Sequence, residues 1–168
     1  MASKLLMAMT VASYLLFTTT AQANETVQSK VTSEAIPWGV AEASIGTYEP
    51  QKVVYDLTTG DEAEFSLLLS RVAFLYKMYD SDAFDTSIVV VIHGDAIPFF
   101  ATANLENLDL MKKAYSTALD APIEYRMCEA AAGAMGFEPK DIHGFVKMVP
   151  MADAEIIKLQ KKGYAYMH

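Results

Sequence analysis

One unbroken run of apolar residues, from Ile88 to Ile92, most constrains the fold of this chain. A strand with one solvated face alternates apolar and polar residues, whereas a strand buried on both faces is apolar throughout. Covering both faces of a sheet takes a helix layer on each side, and parallel strands are joined by helical crossovers. The run therefore predicts an open α/β domain with a mostly parallel sheet and helices on both faces.

The segments around this run alternate between strand-like and helix-like patterns. Apolar residues at three-and-four spacing predict one helix over 65–79 and another with inward-facing Leu105, Leu108, Met111, Tyr115 and Ala118. Two further helices are predicted over 129–135 and 152–162, the last of them ended by Gly163. The other strands are predicted at 53–55, 123–127, 145–148 and 164–167. Five strands and their helices make one domain over residues 51–168, in three layers.

The first 23 residues have the three parts of a cleavable export signal. A basic start at Lys4 precedes an apolar run over 5–17, and Ala21-Gln22-Ala23 forms a small-x-small cleavage site. A membrane span needs about 20 apolar residues, and this run is shorter. We therefore expect an exported protein with no membrane span after cleavage, periplasmic in a Gram-negative source. Residues 24–50 lack a sustained period and are expected to form an irregular arm.

Composition excludes several classes of function. The formal net charge of −8 argues against nucleic acid as a partner. A single cysteine excludes a disulfide scaffold and an all-thiolate cluster within one chain, and the three histidines have no metal-ligand spacing. The Thr58-Thr59-Gly60 turn is crowded by three acidic side chains that would repel a phosphate, so no flavin or nucleotide cofactor is expected.

Candidate site residues follow the predicted strands, because ligands of open α/β sheets bind at the carboxyl ends of the strands. This rule selects Asp56, His93-Gly94-Asp95 and Cys128. Backbone amides at the start of a helix favour a thiolate at Cys128, and Arg126 would add to that field. A thiolate attacks sulfur or carries it as a persulfide. The alternative is that Cys128 is a small buried hydrophobe.

His93 also has two interpretations. A cysteine nucleophile of the acyl-transfer type needs a positioned base, and His93 is the histidine at a neighbouring strand end. Equally, the His93-Gly94 segment could be a turn whose imidazole caps a backbone group.

Past the second strand, Ile97-Pro98-Phe99-Phe100 forms an apolar cluster. It could fill the core, cover a pocket at the cysteine, or form an oligomer contact. Together with the tyrosine-rich last strand, it leads us to expect a closed homo-oligomer.

Three segments in order carry a family resemblance. They are Val91-Ile92-His93-Gly94-Asp95-Ala96, Cys128-Glu129-Ala130-Ala131-Ala132 with Gly136 after it, and Gly163-Tyr164-Ala165-Tyr166. With them the chain resembles, from about Lys52 to His168, the DsrE/DsrF-like family of sulfur-relay proteins in its exported, single-domain branch. The resemblance implies a flavodoxin-like domain that assembles into trimers or hexamers.

The resemblance also implies a function for the cysteine. Cys128 matches the family position that accepts sulfane sulfur as a persulfide, and His93 would lie near it. We therefore expect an exported sulfur carrier or sulfurtransferase whose partners are sulfur donor and acceptor proteins or small thiols. The pocket would include Asp56, His93, Gly94 and Arg126. The alternative is a non-catalytic small-ligand-binding or oligomeric assembly module with an inert cysteine.

Overall fold

The computed structural model describes residues 38–121 and 123–168. The predicted signal peptide, residues 1–23, and residues 24–37 of the predicted arm lie outside the described residues. The structure divides into a first unit, of which residues 38–43 are described, and a compact second unit, residues 44–168. Residues 38–43, the described part of the first unit, are in neither helix nor strand. All described helices and strands lie in the second unit.

Strands and helices alternate along the second unit. The strands are β1 (Lys52–Leu57), β2 (Ser87–Ile92), β3 (Ile123–Cys128), β4 (Val146–Val149) and β5 (Ala165–Met167). The α-helices are α1 (Glu62–Met78), α2 (Leu108–Asp120), α3 (Glu129–Ala134) and α4 (Ala152–Lys161). Two 3₁₀ turns, Gly94–Phe100 and Pro139–Asp141, follow β2 and α3.

The strands form one sheet in the order β4-β3-β2-β1-β5, and each neighbouring pair is parallel. The first four strands are laid down side by side, and α4 then carries the chain from β4 to β5 at the opposite edge. The predicted parallel sheet with crossover helices is confirmed. Because every strand runs the same way, the carboxyl ends of β1, β2 and β3 lie at one edge of the sheet.

Two apolar layers enclose the sheet. On one face, Tyr55, Val90 and Tyr125 belong to a large core that also contains residues of α1 and α2. On the other face a smaller core joins strand residues to α4; its buried members are Val54, Val89, Val91, Cys128, Ala152, Ile156 and Leu159. All five residues from Ile88 to Ile92 are fully buried, as their unbroken apolar character predicts.

The acidic turn before α1 has a structural role. Asp61 is the N-cap of α1, and its carboxylate accepts a hydrogen bond from the backbone N–H of Glu64 at 2.9 Å. Glu62 accepts a hydrogen bond of 2.6 Å from Asn107. These carboxylates cap the helix and hold it to the start of α2, where negative charge also complements the helix dipole.

The apolar cluster after β2 fills the core. Ile97 and Phe100 are fully buried in the 3₁₀ turn, and Phe99 is nearly so. The Phe65 ring on α1 lies 5.2 Å from the Phe99 ring and 5.4 Å from the Phe100 ring, centroid to centroid. The core interpretation of this cluster is therefore correct. The alternative prediction, that the cluster forms an exposed apolar contact between copies of the chain, is wrong. The 3₁₀ turn directs these side chains into the core.

The second helix begins later than its periodicity predicts. Leu105 lies before α2 and is largely exposed, and Leu108 and Tyr115 are also partly exposed, whereas Met111 is buried. The cause is a polar turn: Asn104 donates to Pro98 O at 3.0 Å and accepts from the Asn107 N–H at 3.2 Å. These hydrogen bonds compete with helix formation at residues that an apolar pattern alone assigns to a helix.

We predict that Gly94→Ala destabilises the protein by about 1–2 kcal/mol, the usual cost of a left-handed conformation with a Cβ. Gly94 has φ +58°, and an added Cβ would lie 3.4 Å from Thr58 O. Gly144→Ala is the matched control, because φ there is not in the left-handed range and its Cβ would meet no atom within 4 Å. Urea unfolding measures both variants, and equal stabilities would contradict this account.

Candidate functional site

The candidate residues Asp56, His93 and Cys128 lie together at the carboxyl edge of the sheet, in or directly after β1, β2 and β3. Side chains alternate between the faces of a strand. The buried neighbours Val54, Val91 and Cys128 itself belong to the core under α4. All three candidate side chains are therefore on the α4 side of the sheet.

Asp56 is the centre of a polar cluster. Its Oδ1 lies 2.7 Å from Nε2 of His93, and its Oδ2 accepts a hydrogen bond of 2.9 Å from the Tyr166 hydroxyl. An ionised carboxylate only accepts hydrogen bonds, so Nε2 of His93 carries the hydrogen. The neutral imidazole then has its lone pair on Nδ1. The imidazole contacts a carboxylate and caps no backbone group, so the capping interpretation of His93 is wrong.

Backbone geometry fixes the position of His93. Its N–H donates to Leu57 O at 3.0 Å, which continues the β1–β2 pairing one residue past β2. Gly94 then turns the chain with a positive φ into the 3₁₀ turn. The predicted pocket residue Gly94 thus contributes backbone geometry at the point where the imidazole leaves the sheet.

Tyr166 is a site residue that sequence reasoning missed. It lies on β5, and the parallel register pairs it with Val54, two residues before Asp56. The hydrogen bond to Asp56 raises the pKa of the Tyr166 hydroxyl, with burial and the charge of Asp153 adding to the effect. The alternating pattern of the last strand indicates that Tyr166 lies on a strand. Its contact with Asp56 follows only once β5 is known to lie beside β1.

Cys128 ends β3 and is the N-cap of α3. Its Sγ accepts a hydrogen bond from the Ala131 N–H at 3.4 Å. The residue is 5% exposed and belongs to the same apolar core as Val89, Val91 and Ile156. The predicted place at a strand-to-helix junction is correct, and the thiol there has both a backbone donor and apolar neighbours.

Arg126, two residues before the cysteine, has its guanidinium between two carboxylates. It donates to Glu155 on α4 at 2.5 Å and to Glu124 at 2.6 Å. Glu155 is buried and also accepts from Lys158 at 2.9 Å. The two carboxylates offset the positive field that we expected Arg126 to supply at Cys128.

Comparison with known proteins identifies the domain. The family model described as the DsrE/DsrF-like family matches residues 52–168. The chain belongs to the DsrE/DsrF-like family. The resemblance that the sequence motifs suggested is thus confirmed at the level of the family.

A structure similar to this DsrE/DsrF-like chain is that of protein MTH1491, of unknown function, from Methanobacterium thermoautotrophicum. The two are 20% identical with a TM-score of 0.60, and the match covers 70% of this chain and 97% of the other. The likeness confirms the α/β, flavodoxin-like fold. A search of curated proteins finds no match to the chain.

Two cavities of the DsrE/DsrF-like domain meet at Asp56. One, of about 280 Å³, is lined in part by Thr58, Thr59 and Arg71. The other, of about 270 Å³, is lined by Tyr166 together with α4 side chains. A small molecule or a short peptide segment could therefore reach the carboxylate from either side.

Two further properties bear on the function of the domain. Within residues 38–121 and 123–168, no group of three or more His, Cys, Asp or Glu side chains is placed to hold a metal ion. In the same part of the chain, every helix is too short or too polar to cross a membrane.

We predict that Glu155→Gln destabilises the protein by about 2 kcal/mol at pH 7, since it weakens charged hydrogen bonds in a buried pair. Burial opposes ionisation, but hydrogen bonds from Lys158 and Arg126 hold the pKa of Glu155 below its usual value. A lowered folded-state pKa stabilises the protein above the unfolded pKa, about 4.3, and this contribution is lost as the pH falls through the folded value. The stability difference between wild type and variant should therefore shrink in acid.

Glu124→Gln is the matched control, because Glu124 binds the same guanidinium from a side chain that is 54% exposed. Exposed ion pairs contribute about 0–1 kcal/mol, so this variant should stay close to wild type. Urea unfolding at several pH values measures all three proteins. A pH-independent difference for Glu155→Gln would contradict the assignment.

Proposed function

We propose that this DsrE/DsrF-like protein is a sulfur carrier or sulfurtransferase that holds sulfane sulfur as a persulfide on Cys128. The observation that carries the proposal is the position of this single cysteine, at the end of β3 and hydrogen-bonded to a backbone N–H of α3. It lies inside the segment that matches a family linked to sulfur relay. The backbone N–H of Ala131 donates to Sγ of Cys128, and the thiolate is the form of cysteine that attacks sulfur.

The chemistry requires a donor with a sulfane sulfur, such as a persulfide R–S–SH. The Cys128 thiolate attacks the outer sulfur, a new S–S bond forms, and the donor's S–S bond breaks. The leaving thiolate takes up a proton, so the products are a Cys128 persulfide and R–SH. Because the chain has one cysteine, the next acceptor is a thiol on another molecule, either a protein or a small thiol.

A second candidate function rests on the burial of the thiol. Cys128 is 5% exposed and belongs to the core under α4, as an inert structural cysteine would. In that case the domain is a non-catalytic module that binds a small ligand or assembles with copies of itself. The two candidates differ in whether the native thiol reacts.

The compartment and assembly belong to the same proposal. The sequence of residues 1–23 supports export to the periplasm by a cleaved signal peptide. Large apolar side chains on the surface support a homo-oligomer, a trimer or a hexamer: Leu67 is 60% exposed, and Phe74 and Leu119 are each 65% exposed.

Incubation with glutathione persulfide should add one sulfur atom to wild type but not to Cys128→Ser, as measured by intact mass. Dithiothreitol should remove the added sulfur. An unchanged wild-type mass, or equal gain by the serine variant, would refute the persulfide function.

Alkylation by iodoacetamide separates the two candidate functions. A sulfur carrier should be labelled in the native state at a rate within about tenfold of the unfolded chain, since a carrier thiol must be reachable. Native labelling slowed to the rate of global unfolding would favour the inert module.

We expect purified protein at micromolar concentration to scatter light with the mass of three or six chains. Multi-angle light scattering after gel filtration provides the measurement. A mass of one chain would contradict the proposed assembly.

A further inference from the structure

The Asp56–His93 pair has the arrangement of a carboxylate that orients an imidazole for proton transfer. Asp56 accepts from Nε2 at 2.7 Å, and Tyr166 holds the second carboxylate oxygen at 2.9 Å. Both carboxylate oxygens are thus occupied, which fixes the ring and its tautomer. Among the residues that the structure describes, Nδ1 has no hydrogen-bond partner, and the imidazole is partly exposed. Nδ1 is therefore the ring nitrogen that can exchange a proton with another molecule.

The sheet register places this imidazole beside the cysteine. The parallel pairing of β2 and β3 matches Ile92 with Met127. The backbone stays extended for one more residue on each strand, at His93 and at Cys128, so these two residues are the next neighbours across the strands. Neighbouring strands lie about 4.8 Å apart. Both side chains are on the α4 side of the sheet.

From this geometry we propose that His93 accepts and returns the proton in sulfur transfer at Cys128, with Asp56 as its positioning residue. The inference rests on the proposed persulfide function of Cys128. Sγ is hydrogen-bonded to the Ala131 N–H and not to the imidazole, so the proton passes between thiol and ring through one water or through the bound donor.

The step balances without an oxidant or a reductant. Nδ1 of neutral His93 receives the thiol proton of Cys128, and the thiolate attacks the outer sulfur of a low-molecular-weight persulfide, R–S–SH. The S–S bond to Cys128 forms as the S–S bond of the donor breaks. The leaving R–S⁻ takes the proton from Nδ1, which restores neutral His93 and yields a Cys128 persulfide and R–SH.

The charged and titratable groups around the imidazole come from every element of this edge. Asp56 is on β1 and Tyr166 on β5, Arg126 on β3 is paired with Glu155 on α4, and Asp153 begins α4. Arg71 on α1 lines a cavity at Asp56, and Asp95 follows His93 in the 3₁₀ turn, so charges of both signs lie at this edge. The Asp56 carboxylate, 2.7 Å from Nε2, stabilises the imidazolium that forms during the step.

The test measures how fast glutathione persulfide adds one sulfur atom to Cys128 of the full chain, followed by quenched intact mass. His93→Gln should slow loading by about 100-fold, the low end of general acid–base contributions. Asp56→Asn should slow it by at least about tenfold. His143→Gln is the matched control and should load at the wild-type rate, because that histidine lies against Phe145, away from this cluster.

A pH profile separates proton transfer from a merely structural role. The loading rates of wild type and His93→Gln should depend differently on pH, because the variant lacks the imidazole that exchanges the proton. Tyr166→Phe should slow loading by a few-fold, whereas Tyr164→Phe, whose hydroxyl bonds Ser87 at 2.8 Å, should not. Near-ultraviolet circular dichroism checks that each variant is folded.

Each outcome bears on a different claim. If wild type loads and folded His93→Gln loads equally fast, the role of His93 is overturned and the persulfide function stands. If His93→Gln does not fold, a wild-type rate and pH profile in Asp56→Asn overturns the role of the pair. If wild type itself gains no sulfur, the persulfide function and this inference both fail.

Discussion

The burial of β2 on both faces is the constraint on which the rest of the structure depends. Ile88 to Ile92 are fully buried, so a helix layer must cover each face of the sheet. Hydrogen bonding to β1 on one side and β3 on the other sets the register of all three strands. That register brings Asp56, His93 and Cys128 to one edge. The candidate site is thus a consequence of how the core is filled, and its chemistry comes from the polar residues that follow three apolar strands.

The sequence predicts the elements better than it predicts their contacts. Local rules identified β2 from its unbroken apolar run and the end of α4 from Gly163, because both signals act within a few residues. The same rules placed Leu105 in a helix, because an apolar period carries no information about the hydrogen bond from Asn104 to Pro98 O. Tyr166 was missed for a related reason. Its contact with Asp56 spans 110 residues and exists only because β5 crosses to the far edge of the sheet.

The charges around Cys128 also depend on a contact that the sequence does not predict. From its position in the sequence, Arg126 should favour a thiolate at Cys128. Folding brings Glu155 from α4 against the guanidinium, and a buried arginine without such a partner would be costly. The resulting pair holds α4 on the face where the cysteine lies. The arginine therefore contributes to the position of the helix that covers the thiol, and the backbone N–H of Ala131 is the donor that reaches Sγ.

The imidazole and the thiol of the candidate site differ in their exposure to solvent. Cys128 is 5% exposed, whereas the His93 side chain is 27% exposed and shares its hydrogen bond with Asp56, which lines two cavities. A buried thiol is protected from oxidants that cannot enter the site, and reactivity follows exposure as well as ionisation. Under the proposed function, the sulfur donor must be small or extended enough to reach a thiol that is nearly buried.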